Sequence, residues 1–216
     1  MDNKVRTIYL VGGFGGCQYT YYRVEEEMKK LYGPKQFRII VPKHPHLAVV
    51  EGAFEYCKNP GLIQSRVAEA TYGTEVMSSF DDKKHDRRYL HVTSFGVQNC
   101  KYVFSPLIIE GERVEFNKVK RELYHPTEPH HTCVRFDLIV TNKKDLFYTR
   151  NPNGDLKRGV KVLGSISLPS PNTEQGTHRN MYLTFDFSHT KIQVHAYDES
   201  SKTERRAVID CLSKLK

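Results

Sequence analysis

The 216-residue chain is predicted to adopt an α+β fold in two parts, residues 1–66 and residues 67–216. Two observations predict it. In the first part, short β-branched apolar runs alternate with stretches whose apolar residues recur every three or four positions, so strands alternate with helices. The second part holds short segments of alternating polarity separated by turn residues, the pattern of antiparallel strands. An apolar fraction of 38% suffices for a packed core and is too high for a disordered chain.

Residues 7–11 (TIYLV) read as a short buried strand. Tyr21, Val24, Met28 and Leu31 then fall on one face of a helix, which Gly33-Pro34 stops. Residues 37–41 (FRIIV) form a second buried strand, and Leu47, Val50, Phe54 and Cys57 repeat the helical spacing. Strand, helix, strand, helix implies a parallel pair joined by a helical crossover, too few strands for a complete α/β domain. In the second part, residues 89–95 (YLHVTSF) and 101–109 (KYVFSPLII) read as strands. In 134–140, Val134, Phe136 and Leu138 alternate with Arg135 and Asp137. Residues 151–155 (NPNGD) form a turn before a strand at 160–168. Met181, Leu183, Phe185 and Phe187 share one face of the next strand. Residues 188–190 turn the chain, and Ile192, Val194 and Ala196 point inward after it. Residues 205–215 read as a closing helix or, in their first half, as a last strand. Seven or eight short strands with polar faces outward indicate an antiparallel β-sandwich.

The formal charge is +8; residues 1–66 carry 10 basic and 6 acidic side chains and residues 67–216 carry 23 and 19, so the excess is spread evenly. Lys83-Lys84 and Arg87-Arg88 alternate with Asp81, Asp82 and Asp86, which fits a solvated loop better than a nucleic-acid patch, and no nucleic-acid partner is expected. The five cysteines are widely spaced without a C-x-x-C, so neither a zinc knuckle nor a redox pair is suggested. No N-x-S/T site, no apolar leader and no stretch of membrane-spanning length occurs, which favours a cytoplasmic compartment and no membrane partner.

In residues 11–16 (VGGFGG) a strand ends in Gly12, Gly13, Gly15 and Gly16, just before a helix. Such a turn lets backbone N–H groups approach a phosphate, or the sugar and base of a nucleotide. It is not the dinucleotide fingerprint, because Gln18 stands where G-x-G-x-x-G needs glycine, and no G-K-S/T follows as in a P-loop. Alone, the stretch is either a tight strand-to-helix turn or a nucleotide contact.

The surrounding motifs add a family resemblance. IYLVGGFGG, a helix, then IIVPKHPHLAVVEGA resembles the end of the ATPase domain of the 70-kDa heat-shock chaperones, where a V-G-G turn contacts adenosine and an N-P-D-E-A-V-A-x-G-A segment starts the last helix. ATYGTEVM is similar to the lead-in to that family's peptide-binding β-domain, and MYLTFDFSHTKIQVHAYDESSKTERRAVI to its last hairpin and strand. The details V-G-G-F and T-Y-G resemble the divergent heat shock 70 kDa protein 12 branch. The resemblance covers nearly the whole chain. It implies a partial actin-like ATPase lobe at 1–66 and a substrate-binding-like β-sandwich at 67–216. It also departs: Phe14 and Gly16 stand where the family has a serine and an adenine-packing arginine, and His46 where it has the aspartate of N-P-D-E. Gly12, Gly13, Phe14, Gly15, Gly16 and His46 are the adenosine-contacting positions that it implies. The implied cofactor is ATP or ADP, with Mg²⁺ in a full-length relative and not expected on this chain. The phosphate loop and metal ligands are absent upstream, so the chain looks like the C-terminal part of such a protein, and whether it is an enzyme stays open.

His125, His130 and His131 lie in residues 124–134 (YHPTEPHHTCV), which alone read as a metal site or an exposed loop; no second cluster supplies more ligands, and no metal is expected. Under the resemblance, Tyr124, Thr127, His131, Val134 and Phe136 fall at the family's peptide-cleft positions. Val134 is then the central apolar pocket, Tyr124 and Phe136 are walls, and Thr127 and Met77 form the arch. Val134 and Phe136 read equally as sandwich core. No nucleophile–base pair stands out, so no catalytic residue is expected. The function implied is a chaperone-like protein that takes unfolded or extended polypeptide segments. The alternative is a pseudo-ATPase interaction module for one dedicated protein partner.

Overall fold

Residues 6–34, 36–187 and 191–210 are described by the structure, a computed structural model. The chain divides between Ile63 and Gln64 into two units.

In the first unit, β1 (Thr7–Tyr9) lies parallel to β2 (Arg38–Ile40), with Ile8 opposite Ile39. The connection is α1 (Gln18–Tyr32), and α2 (Ala48–Lys58) follows β2. Both strands are shorter than the apolar runs that predict them. After the bond from Leu10 N–H to Ile40 O, 3.0 Å, the chain bends into the glycine turn. Gly33 closes α1 at φ 80°, donating to Lys29 O at 2.9 Å, as its place before proline predicts. Tyr21, Val24 and Met28 are half-buried, but Leu31 is exposed. The apolar face expected on α2 lies open: Leu47, Val50, Phe54 and Cys57 are all exposed. Two strands and two helices are too few layers to cover every stripe.

The second unit is built of antiparallel sheets. Its strands are β3 (Ser65–Val67), β4 (Thr71–Ser79), β5 (Leu90–Val92), β6 (Gln98–Ile108), β7 (Arg113–Glu115), β8 (Val119–Tyr124), β9 (Cys133–Thr141), β10 (Val160–Pro169), β11 (Met181–Asp186), β12 (Lys191–Asp198) and β13 (Glu204–Asp210). One sheet has the order β10-β9-β4-β6-β5 and the other β13-β12-β11-β8, while β3 and β7 form a small ribbon. The two large sheets share one core. Tyr72, Leu107, Phe136, Leu138, Val140, Ile166 and Leu168 come from the first, and Met181, Leu183, Phe185, Ile192, Val194, Ala196 and Ile209 from the second. These are the alternate positions that the period of two predicts. Gly73 is required where β4 crosses β6, because a Cβ there would lie 2.3 Å from Ser105 O.

The structure corrects the sequence reading at two points and decides between its alternatives at a third. Residues 89–95 are not one strand: Arg87–Tyr89 form a 3₁₀ turn capped by the Asp86 carboxylate, which accepts from Arg88 N–H, and β5 is only three residues long. At 205–210 the structure takes the strand alternative: β13 pairs with β12 throughout and buries Ile209. Ile139, on the outer face of β9, is also buried, with Phe104 and Val160, so the second part is not polar outside everywhere. The turn expected at 188–190 and residues 211–216 lie outside the described residues. No helix among those described is long and apolar enough to cross a membrane.

Candidate functional site

A cleft of about 280 Å³ opens beside the start of β9 in the second unit. Its lining comes from the middle of β4 (Glu75, Val76, Met77), an interruption in β6 (Lys101, Tyr102), the end of β8 with the loop after it (Tyr124, His125, Thr127, His131), and β9 (Cys133, Val134, Arg135, Phe136). All six side chains expected at a peptide cleft, Met77, Tyr124, Thr127, His131, Val134 and Phe136, line this one cavity. Val134 is half-buried and packs against the core, whereas Phe136 is 5% exposed and belongs mostly to it. The Tyr124 ring lies 5.2 Å from that of Phe136, and its hydroxyl shares a 2.9 Å hydrogen bond with Thr74 Oγ1. Burial pushes the Tyr124 phenol up, so it stays neutral. Met77 is exposed at the opposite lip.

The loop at 125–132 is held from two sides. Ser94 Oγ donates to Glu128 Oε2 at 2.6 Å and Ser94 N–H to Glu128 Oε1 at 3.2 Å, which holds the Glu128 carboxyl below its ordinary range. Arg179 is fully buried and donates to the carbonyls of Pro129 (2.9 Å), His131 (2.8 Å), Ser170 (2.7 Å) and Gly176 (2.8 Å). The histidines do separate jobs. His125 Nδ1 meets Arg179 O at 3.1 Å, the His130 ring lies against Phe95, and His131 borders the cleft. Among the described residues, no group of three His, Cys, Asp or Glu side chains could share a metal ion.

Sequence reasoning missed the charged wall of the cleft. Glu75 accepts from Arg150 Nε at 2.8 Å and from Thr149 Oγ1 at 2.5 Å. Asp137 pairs with Arg135 at 2.7 Å and Arg150 at 3.6 Å. Arg150 lies in a connection where only the 151–155 turn was legible. That turn is present, with Gly154 at φ 93° and a bond from Asn151 N–H to Asp155 O.

In the first unit, Gly12 has φ 84° and donates its N–H to Pro45 O at 2.7 Å. Gly15 donates to Gly12 O at 3.1 Å and Cys17 to Phe14 O at 3.0 Å, so the turn closes on itself. A Cβ at Gly15 would lie 2.8 Å from Leu10 O. Gly15 and Gly16 line an open groove of about 310 Å³ with Cys17, Gln18, Tyr21, Tyr22 and Val41. The Phe14 ring is 79% exposed. Gly13 has open space where a side chain would be, and exposed His46 lies edge-on to His44 at 6.3 Å; neither lines the groove.

No family model matches the sequence. The chain is 27% identical over 217 aligned positions to heat shock 70 kDa protein 12B of Homo sapiens, which takes in 97% of the chain. It is 24% identical over 214 positions to heat shock 70 kDa protein 12A of Mus musculus and 25% over 215 to that of Homo sapiens, in both cases over 98% of the chain. The chain is related to heat shock 70 kDa protein 12. It spans 30% of the length of each of these relatives. The similarity runs across both units, through the glycine turn as well as the cleft.

Proposed function

We propose that the chain binds extended polypeptide segments in the cleft of its second unit, as a chaperone-like protein, and that its first unit is part of an actin-like nucleotide-binding lobe. The observation that carries the reading is the convergence of Met77, Tyr124, Thr127, Val134 and Phe136 on one cavity. These residues come from β4, β8, β9 and the loop between the last two; strand alternation puts Val134 and Phe136 on one face, and the fold brings Met77 to them from β4. An apolar peptide side chain seats on Val134, beside the packed rings of Tyr124 and Phe136. Met77 and Thr127 close over the peptide backbone, whose amides hydrogen-bond to the lips. The cavity is large enough for one aliphatic side chain and some flanking backbone.

For the nucleotide, the fit is to the adenosine end. Phe14 offers an exposed ring on which a base can stack, and Gly15, Gly16, Tyr21 and Tyr22 offer an open groove. The N–H groups of Gly12, Gly15 and Cys17 are taken within the turn or by Pro45, so these three do not face a phosphate. In a full-length relative, nucleotide binding would couple reciprocally to peptide affinity. Titration with a fluorescent adenosine analogue tests this part. Binding that weakens in Phe14→Ala supports it, and no binding by the full chain overturns it.

Fluorescence anisotropy with a labelled Leu-rich heptapeptide, beside a thermal melt, tests the cleft. The expected result is binding by the full chain and at least a tenfold loss in Val134→Phe, at little cost in melting temperature. If Val134 is only core, overpacking costs about 1–3 kcal/mol. A lowered melting temperature with unchanged affinity therefore overturns the reading. Binding one partner protein but none of several unrelated apolar peptides would favour the interaction module instead.

A further inference from the structure

Lys101 and Tyr102 line the cleft side by side, although neighbours in a regular strand face opposite ways. The pairing of β4 with β6 passes from Val76 opposite Val103 to Ser78 opposite Cys100, so two residues stand against Met77 alone. This is a β-bulge, a device that re-aims side chains. Tyr102 sits at φ 61°, a left-handed backbone rarely adopted by a bulky residue. Its carbonyl is held by Thr149 N–H at 2.9 Å. The result is an ammonium 5.4 Å from the centre of an aromatic ring at the wall of an apolar pocket.

The charges around it are matched except for one. Glu75 and Asp137 are paired with Arg150 and Arg135. Among the described residues, Lys101 has the Tyr102 ring as a partner and no ion pair. The cleft is thus apolar at its floor and carries one uncompensated cation at its wall. We propose that it selects extended peptides bearing a carboxylate side chain beside the apolar residue seated on Val134, with Lys101 as the cation that reads the carboxylate. This rests on the polypeptide reading of the cleft. Lys101 and the Tyr102 ring beside it are both half-buried, so the attraction between a peptide carboxylate and Lys101 is less screened than at a fully exposed site. A lysine at the same peptide position faces Lys101 and finds Glu75 and Asp137 already taken.

Three labelled heptapeptides test this, differing only in whether Asp, Ser or Lys flanks a central Leu. With the full chain at low ionic strength, the Asp-flanked peptide is expected to bind about tenfold tighter than the Lys-flanked one, the gap narrowing as salt is raised. In Lys101→Gln the ratio should fall to about twofold, while Lys58→Gln, in the first unit, keeps the wild-type ratio. If the Ser-flanked peptide binds but wild type shows no Asp-over-Lys preference, or Lys101→Gln keeps it, the carboxylate selection is overturned and the cleft reading stands. If no peptide binds, both fall.

Discussion

Tyr102 is the residue at which local preference and the fold disagree most. A left-handed backbone costs an L-residue about 1–2 kcal/mol, and glycine would avoid that cost. The protein retains a tyrosine there, half-buried, with its ring in the cleft wall. Tyr102→Gly relieves the backbone but loses the ring's partial burial, and the two effects are of similar size. The expected outcome is a melting temperature within about 4 °C of wild type, since 1 kcal/mol is worth about 2–4 °C in a chain of this size. Peptide affinity should fall several-fold alongside it. A large drop in melting temperature at constant affinity would make Tyr102 a packing residue and nothing more. The bulge was invisible in the sequence because Lys-Tyr carries no turn signal. The six expected cleft positions were legible only through the family resemblance, since periodicity alone reads Val134 and Phe136 as core, which Phe136 largely is.

Among the elements, the loop at 125–132 depends on a buried polar relay at the end of the sandwich. Arg179 Nη1 donates to Ser170 Oγ at 2.8 Å, and the Ser170 hydroxyl is among the groups that hold the Asp198 carboxyl down. Asp198 accepts from Ser200 Oγ at 2.9 Å and Ser201 Oγ at 2.7 Å. Burial pushes the Asp198 carboxyl up, but the hydroxyls of Ser201, Ser170 and Ser200 outweigh it and the net direction is down. A carboxylate depressed in the folded state contributes stability that is present above the ordinary aspartate range and is lost as pH falls through the folded value. Wild type should therefore lose stability below about pH 4 more steeply than Asp198→Asn, which should be weaker at pH 7 by about 1.5–3 kcal/mol. Melts from pH 3 to 7 check this, and parallel curves for the two proteins would remove Asp198 from the account. Sequence alternation revealed β9 to β12 because each has a wet and a dry face. It did not reveal β8, where charged side chains hold half the positions and the strand lies at a sheet edge, with β11 as its neighbour. Nor did it reveal β3 and β7, three residues each.

At the scale of the whole molecule, the two units differ in how far they bury their own apolar surface. The second unit closes two sheets on a shared core in which Leu183, Met181 and Leu168 are fully buried. In the first unit, Gly15 is the one buried residue among those described, and Phe14, Tyr19, Leu31, Val49, Val50 and Phe54 are exposed. The order strand, helix, strand, helix was legible there because glycine and proline punctuate it. The open face of α2 was not, because a period of 3.6 states which residues share a side and not what covers it. Apolar surface on this scale favours association, and the short parallel pair leaves strand edges that can template further pairing. A polypeptide of residues 64–216 keeps β3 with its partner β7 and both large sheets. It is expected to stay in solution at concentrations where the full chain sediments, and to melt cooperatively with the full chain's main transition. Sedimentation of both at matched concentration, with a hydrophobic dye as a second readout, checks it. If residues 64–216 aggregate more than the full chain and bind more dye, the first unit's exposed apolar residues are not what drives association.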